Sequence, residues 1–241
     1  MNEIEGRRPL KTRDWRIFQQ VAAWLAQTAV TPNMISVSSI GFAVAAGLAL
    51  AGTSVAQSSG MLAGLYFSAA VCMQLRLVAN LLDGMVAVEG GKGSPAGALY
   101  NEVPDRVSDA AILIGAGYSL ASRPELGLMA AVVAVFVAYV RAIGSSVGAG
   151  EVFAGPMAKP QRMALMTLGS VLCCFVSLSG SGLSGRWQSH IMGTVLGLII
   201  VGGAITAVRR LRFISETLHI ALRSDSAAGS ETSAVEDSEG E

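Results

Sequence analysis

Carboxylate and amide side chains are concentrated in one polar stretch of an otherwise apolar sequence, NLLDGMVAVEGGKGSPAGALYNEVPDRVSDA, which begins at Asn80. Asn80 and Asp83 are three residues apart, so on a helix they share one face. Asn101, Asp105 and Asp109 are spaced by four and share a face of a second helix. Oxygen ligands of this kind suit Mg²⁺ or Mn²⁺, which bridge to phosphates while keeping some of their waters. The spacing therefore favours a divalent-metal site.

The two polar faces are joined by a glycine-rich connection, GGKGSPAG, and both fall at the ends of adjacent apolar segments. The alternative interpretation is that these side chains only mark where two helices leave a membrane. Ionisable residues in membrane segments are functional by default, and two converging faces favour the metal site. Arg76 lies one turn before Asn80, where it would pair with Asp83, bind a phosphate or form a purely structural ion pair.

The segments around this stretch have the composition of membrane spans. The 241 residues are 52% hydrophobic and 14% charged, with a mean hydropathy of +0.54, whereas soluble domains have about 25% charged residues. Six apolar segments each approach the roughly 20 residues needed to cross a bilayer core. They are 34–54, 61–82, 105–122, 126–147, 163–183 and 191–208. The prediction is an all-α integral membrane protein with six transmembrane helices, and a net charge of zero gives no reason to expect nucleic acid.

The chain divides into three regions. Residues 1–30 form an N-terminal segment whose apolar side chains fall on one helical face, which predicts an amphipathic helix lying along the membrane interface. That face comprises Trp15, Phe18, Val21, Ala22, Leu25 and Ala26. Residues 31–212 form the six-helix membrane domain. Residues 213–241 form a tail that ends in six acids without a base, and its composition predicts disorder over most of its length.

The distribution of Lys and Arg predicts the orientation in the membrane. The connections at 55–60, 123–125 and 184–190 hold only two of these residues, whereas the termini and the other connections hold the rest. By the positive-inside rule, both termini and the polar stretch lie on the cytoplasmic side, the inner-membrane arrangement of a bacterial protein.

The polar stretch resembles the motif of the CDP-alcohol phosphatidyltransferases, D-x2-D-G-x2-A-R-x8-G-x3-D-x3-D, and lies on it without a gap. Asn80 and Asp83 stand at the first two Asp positions, and Asn101 and Asp105 at the last two. Two motif aspartates are thus asparagines, and Val88 stands where the motif has Arg. The remaining motif positions match, at Gly84, Ala87 and Gly97.

Three short segments outside the motif extend the resemblance over most of the chain. Thr31–Pro32–Asn33 resembles the TPN that opens the first span of this family, and the YVRA around Arg141 resembles an element of its fourth span. Lys159–Pro160–Gln161–Arg162 resembles a basic P-x-R before the fifth span. The resemblance implies that Pro32, Asn33, Gly84, Ala87 and Gly97 bind nucleotide or phosphate. It also implies that Arg141, Lys159 and Arg162 bind phosphate of the acceptor or donor.

The resemblance implies an enzyme of phospholipid biosynthesis. Such a transferase moves a phosphatidyl or phospho-alcohol group from a CDP-linked donor, such as CDP-diacylglycerol, to a hydroxyl acceptor and releases CMP. The implied cofactor is Mg²⁺ or Mn²⁺, the implied general base is Asp105, and the implied assembly is a homodimer. The implied metal ligands are Asn80, Asp83, Asn101 and Asp105, with Asp109 one turn beyond.

The two asparagines leave several alternatives open. The site has one metal fewer, or Asp109, Glu89 or Glu102 replaces a lost ligand, or the chain binds lipid or nucleotide without catalysis. A small transporter is a further alternative, but the polar residues gather at one membrane face rather than at the midplane, where transporters bind their substrates. The acceptor is not specified by the sequence.

Overall fold

The computed structural model describes residues 15–120, 122–150, 152, 155–179 and 184–239, and within them the chain is all-helical. Seven α-helices follow one another, with a short 3-10 turn at Thr53–Val55 after the second. They are α1 Arg16–Ala26, α2 Pro32–Gly52, α3 Ser59–Glu89, α4 Gly97–Gly117, α5 Pro124–Ser146, α6 Lys159–Leu178 and α7 Ser184–Glu239.

Five helical stretches of the described chain are long and apolar enough to cross a membrane: Pro32–Val55, Ser59–Val88, Pro124–Ser146, Lys159–Leu178 and His190–Ala221. They coincide with five of the six predicted spans and confirm an integral membrane protein. The sixth predicted span falls in α4, which is not among them because its first half carries Glu102, Asp105, Arg106 and Asp109. The count of six spans therefore stays a prediction.

The spans form one packed bundle. α2 packs against α3 and α4, α3 against α6, α4 against α5, and α7 against both α5 and α6. The shared core contains Tyr66, Met73, Ile112, Met163 and Leu196. Large apolar side chains such as Phe67 and Phe175 are exposed on the outside of the bundle, as expected for a surface that faces lipid rather than water.

Glycines bring α4 very close to its neighbours. A Cβ at Gly47 of α2 would lie 2.4 Å from the Ala111 carbonyl oxygen, and a Cβ at Gly115 would lie 2.2 Å from the Gly47 carbonyl oxygen. On the other side of α4, a Cβ at Gly117 would lie 2.8 Å from the Cα of Gly127 in α5. Small residues of this kind allow membrane helices to approach through their backbones. These contacts fix α4, and therefore its carboxylates, relative to α2.

The predicted interfacial helix is present as α1. Its buried residue Ala22, flanked by Phe18 and Leu25, packs on the C-terminal half of α3, whereas Trp15 and Trp24 are exposed. Residues 1–14 of the N-terminal segment lie outside the described residues.

Two helix boundaries differ from those expected. α4 begins at Gly97, eight residues before the predicted span at 105–122, so Pro104 lies inside the helix. α7 continues as helix to Glu239, where the composition predicted a largely disordered tail from residue 213. Residues 213–239 contain no proline and include four Ala and four Glu residues, which favour helix, so this continuation has a local physical reason.

Candidate active site

Four helices converge on the predicted polar stretch. The last turns of α3 carry Asn80 and Asp83, and the first half of α4 carries Asp105 and Asp109. The beginning of α6 adds Lys159 and Arg162, and the first turn of α2 adds Ser36. The two faces inferred from spacing therefore do converge, and a third helix contributes cations between them.

Asp105 lies at the centre of this cluster and is 6% exposed. Its Oδ1 atom accepts hydrogen bonds from Asn80 Nδ2 at 2.6 Å and from Arg76 Nη2 at 3.1 Å. Its Oδ2 atom accepts from the ammonium group of Lys159. Both carboxylate oxygens are therefore engaged, one by two donors from α3 and the other by a lysine from α6.

Asp109, one turn further into the membrane, is held by two guanidinium groups. Arg76 Nη2 lies 2.8 Å from Oδ1, and Arg162 Nη2 lies 2.5 Å from Oδ2. All three side chains are at most 3% exposed. Both oxygens of Asp109 therefore accept charge-assisted hydrogen bonds from buried arginines, so an ion would reach Asp109 only by displacing one of them. The role of Asp109 as a metal ligand stays a prediction.

Asp83 contacts a hydroxyl group of α2. The Ser36 hydroxyl donates to Asp83 Oδ2 at 2.5 Å, and Asp83 is 5% exposed. Its charge is close enough to those of Asp105 and Lys159 to interact with both. Asp83 is therefore the motif carboxylate that has no cation bound directly to it among the ion pairs of the described residues.

Glu102 forms a separate, more exposed group with Arg106 and Arg141, and pairs with both arginines. We call these three residues the rim of the site. Its side chain is 47% exposed. Partial burial favours the protonated form, but the two guanidinium groups outweigh that effect and lower the pKa of Glu102. Because two cations share one carboxylate, the rim has one positive charge in excess.

The charges of the inner cluster balance without any added ion. Three carboxylates face three cations, namely Asp83, Asp105 and Asp109 against Arg76, Lys159 and Arg162. Several donors in this group have no partner, namely Nε and Nη1 of Arg76 and Nε of Arg162. Buried cations that are paired in this way are strongly held, because separating them would leave an uncompensated charge in a medium of low polarity.

The other predicted site residues lie at the start of α2, in the last turns of α3 and in the first turns of α4. Pro32 is the first residue of α2, and Asn33 Nδ2 lies 3.4 Å from Ser94 Oγ in the α3–α4 connection. Gly97 is the first residue of α4, and a Cβ at Gly84 would meet nothing within 4 Å. Ala87 is half-buried and Asn101 is exposed.

Two residues gain a place in the site that sequence reasoning did not give them. Arg76 was weighed as a partner of Asp83 or of a phosphate, whereas it contacts Asp105 and Asp109. Ser36 was missed, although a serine one turn after Pro32 in an apolar helix is a signal that points toward the same membrane face. Arg141 contacts Glu102 rather than the inner cluster.

The carboxylates that remain available as metal ligands fit one divalent cation better than several. No three Asp, Glu, His or Cys side chains come together as a cation site within the described part of the chain. Asp83 and Asp105 are nevertheless neighbours, and Mg²⁺ is commonly held by one or two carboxylates with substrate phosphates completing its shell. Glu102 is bound by its two arginines, and the side chain of Glu89 lies outside the described ones.

Both the sequence and the fold of this chain are similar to those of phosphatidylinositol phosphate synthases. No family model matches the chain. The chain is 29% identical over 216 residues to the phosphatidylinositol phosphate synthase of Corynebacterium glutamicum, and this match covers 86% of each protein. Its fold is similar to that of Mycobacterium tuberculosis phosphatidylinositol phosphate synthase PgsA1 with CDP-DAG bound, with a TM-score of 0.67 and 22% identity over 83% of this chain and 94% of that one. The same enzyme in complex with manganese and citrate superposes with a TM-score of 0.66 and 22% identity, over 82% of this chain and 88% of that one.

Proposed function

We propose that this chain is a member of the CDP-alcohol phosphatidyltransferase family, and that it transfers a phosphatidyl group from a CDP-linked lipid to a hydroxyl acceptor and releases CMP. The observation that carries the proposal is the buried Asp105 carboxylate at the last Asp position of the motif, where it contacts Asn80 of the same motif, Arg76 and Lys159. The relative solved with CDP-DAG supports CDP-diacylglycerol as the donor.

Asp105 is the group best placed to accept the proton of the acceptor hydroxyl. The hydroxyl oxygen forms a bond to the phosphorus of the phosphatidyl group, and the bond from that phosphorus to the bridging oxygen of the diphosphate breaks. CMP leaves with the bridging oxygen, and the proton moves to the Asp105 carboxylate, which lies beside the partly exposed Lys159. Arg76 and Asn80 hold Oδ1 and so keep the carboxylate in one orientation.

Mg²⁺ or Mn²⁺ is the cofactor that the relatives support, since one of them was solved with manganese. Asp83 and Asp105 are the residues that would hold it. When bound there, the ion would neutralise charge on the diphosphate and stabilise the departing CMP. Lys159 adds a positive charge beside the same carboxylate.

The rim supports an acceptor that carries a phosphate as well as a hydroxyl. Arg106 and Arg141 share only one carboxylate, and their side chains are 24% and 23% exposed. Guanidinium groups bind phosphate oxygens in a forked geometry. The names of the curated relatives, phosphatidylinositol phosphate synthases, make an inositol phosphate the first acceptor to test.

The active site is expected at the cytoplasmic surface, with both termini on that side, because most Lys and Arg residues outside the spans lie there. This sidedness is tested by labelling single introduced cysteines in spheroplasts.

The homodimer that the resemblance implies stays a proposal. Gly117 of α4 and Gly127 of α5 contact each other within one chain, so they are not free to join two chains. The lipid-facing side of α5, with Val132 and Phe136, is the apolar surface that a second copy would use. Cross-linking through an introduced cysteine at Val132 in lipid nanodiscs tests this proposal, and monomer alone at active concentrations would contradict it.

The test of the proposed reaction is CMP release by the purified chain in nanodiscs. The protein is incubated with CDP-diacylglycerol, Mn²⁺ and one acceptor at a time: inositol phosphate, glycerol phosphate, inositol or glycerol. We expect CMP release that requires an acceptor and is fastest with a phosphate-bearing one. The full engagement of Asp105 by three donors favours a second candidate, a chain that binds the donor without turnover. Binding of CDP-diacylglycerol without CMP release by any acceptor would establish that candidate instead.

A further inference from the structure

The two oxygens of Asp105 differ in what a divalent cation would have to displace. Oδ1 accepts from Asn80 and from the fully buried Arg76, both fixed on α3. Within the described part of the chain, only the Lys159 ammonium group donates a hydrogen bond to Oδ2. A cation that ligates Asp105 must therefore take Oδ2, the position that the lysine ammonium occupies.

Lys159 is also the most exposed cation of the inner cluster. Its side chain is 26% exposed, against 0% for Arg76 and 3% for Arg162. It is the first residue of α6, and its Nζ lies at the end of a flexible four-carbon stem. The two arginines, in contrast, are buried between carboxylates on α4.

We propose that Lys159 is a built-in competitor for the divalent cation at Asp105. Its ammonium group occupies Oδ2 when the metal is absent, lowers the affinity of the site for Mg²⁺ or Mn²⁺, and is displaced when the metal binds. The next step rests on the proposed function: the displaced ammonium group then faces the diphosphate of the CDP-linked donor. The asparagines at 80 and 101 act in the same direction, since an amide oxygen brings no charge to the ion.

The competition predicts that removing the ammonium charge strengthens metal binding. Mn²⁺ alone is titrated into the full chain in nanodiscs, and free Mn²⁺ is measured by electron paramagnetic resonance. We expect Lys159→Gln to bind Mn²⁺ about tenfold more tightly or better than the native chain, because a like charge within a few ångströms of the ion is gone. Lys159→Arg, which retains the charge, is expected to stay within about threefold of the native affinity.

Lys92 provides a matched control on the same side of the membrane. Its Nζ donates to the carbonyl oxygens of Thr28 and Val30 and touches no carboxylate in the described ion pairs. Lys92→Gln should leave the Mn²⁺ affinity unchanged. Equal Mn²⁺ affinities for the native chain and Lys159→Gln would overturn the proposal, and so would weaker binding by the variant.

A second measurement uses the native chain and decides the matter even if Lys159→Gln fails to fold. The sequence contains only three lysines, at 11, 92 and 159, so acetylation by an amine-reactive ester can be followed at each one by mass spectrometry. Saturating Mn²⁺ should raise the labelling rate of Lys159 several-fold relative to Lys92, because the ammonium is released from Asp105. A rate that stays constant or falls on adding Mn²⁺ contradicts the displacement.

These readouts do not depend on turnover. If both Mn²⁺ effects are observed but no acceptor gives CMP release, the competition at Asp105 is supported and the proposed reaction is contradicted. If CMP is released but neither Mn²⁺ effect is observed, the proposed reaction is supported and the competition is contradicted.

Discussion

The Nη2 atom of Arg76 lies 2.8 Å from Oδ1 of Asp109, and the two side chains are 0% and 2% exposed. The same nitrogen also contacts Asp105, the proposed base, so one fully buried guanidinium links α3 to both carboxylates of α4. A buried pair of this kind is held in place more by the penalty for breaking it than by its net contribution to folding.

Replacing Arg76 with Met should therefore destabilise the chain severely. Asp109 would keep Arg162, but the cluster would contain three carboxylates against two cations in a buried setting. Loss of one partner of a buried pair costs about 3–5 kcal/mol in the free energy of unfolding. Thermal unfolding in detergent checks this, with Arg212→Met on the exposed side of α7 as the control. Equal melting temperatures for the two variants would contradict the role given to Arg76.

The glycine contact between α2 and α4 makes a second prediction about stability. Gly47→Ala would place a methyl group 2.4 Å from the Ala111 carbonyl oxygen, so α4 must shift. Overpacking of this kind costs about 1–3 kcal/mol. Gly41→Ala is a control on the same helix, because a Cβ there meets nothing within 4 Å. Melting temperatures should fall for Gly47→Ala and stay level or rise for Gly41→Ala, and the reverse order would refute the close crossing.

Glu102 makes a prediction about pH. Its pKa in the folded chain lies below its ordinary value, because Arg106 and Arg141 outweigh the opposing effect of burial. A lowered folded pKa stabilises the fold above the unfolded pKa, about 4.3, and that contribution is lost as the pH falls through the folded pKa. The stability difference between the native chain and Glu102→Gln should therefore be constant near neutral pH and shrink under acidic conditions. Unfolding measured across a pH series checks this, and a difference that grows on acidification would show that the two arginines do not lower the pKa.

Asn80 makes a prediction about metal removal. Its Nδ2 lies 2.6 Å from Asp105 Oδ1, so Asn80→Asp would place two carboxylates in contact. Without metal the two charges repel each other, and we expect a lower melting temperature in EDTA than for the native chain. Mn²⁺ should restore that loss, whereas Asn101→Asp, on an exposed position, should change little in EDTA. An Asn80→Asp variant that is equally stable with and without Mn²⁺ would place the ion elsewhere.

The sequence predicted those parts of the site that depend on local periodicity. The spacing of Asn80 and Asp83, and of Asp105 and Asp109, correctly indicated two helical faces that meet. The start of α4 was predicted less well, because the helix begins at Gly97 and Pro104 lies inside it. Proline is favoured at helix starts but does not require one, since neighbouring helices can hold a proline-containing segment in place.

The pairing of charges could not be read from spacing. Lys159 is 54 residues from Asp105, and Ser36 is 47 residues from Asp83. Contacts over such distances depend on how α2 and α6 pack against α3 and α4, which helical periodicity does not specify. For the same reason the sequence predicted Asp109 as a metal ligand but could not show that packing places it between two arginines.

The central claim, that Asp105 accepts the proton of the acceptor hydroxyl, is tested most directly by Asp105→Asn. Loss of a general base typically lowers turnover by about 10²–10⁴-fold. Binding of CDP-diacylglycerol should persist or strengthen, because the variant removes a negative charge beside the diphosphate and leaves Lys159 and Arg76 in place. The measurement is CMP release in a single turnover, together with donor binding, for the native chain and the variant. The account predicts donor binding without CMP release in Asp105→Asn, and a variant that releases CMP at the native rate would contradict it.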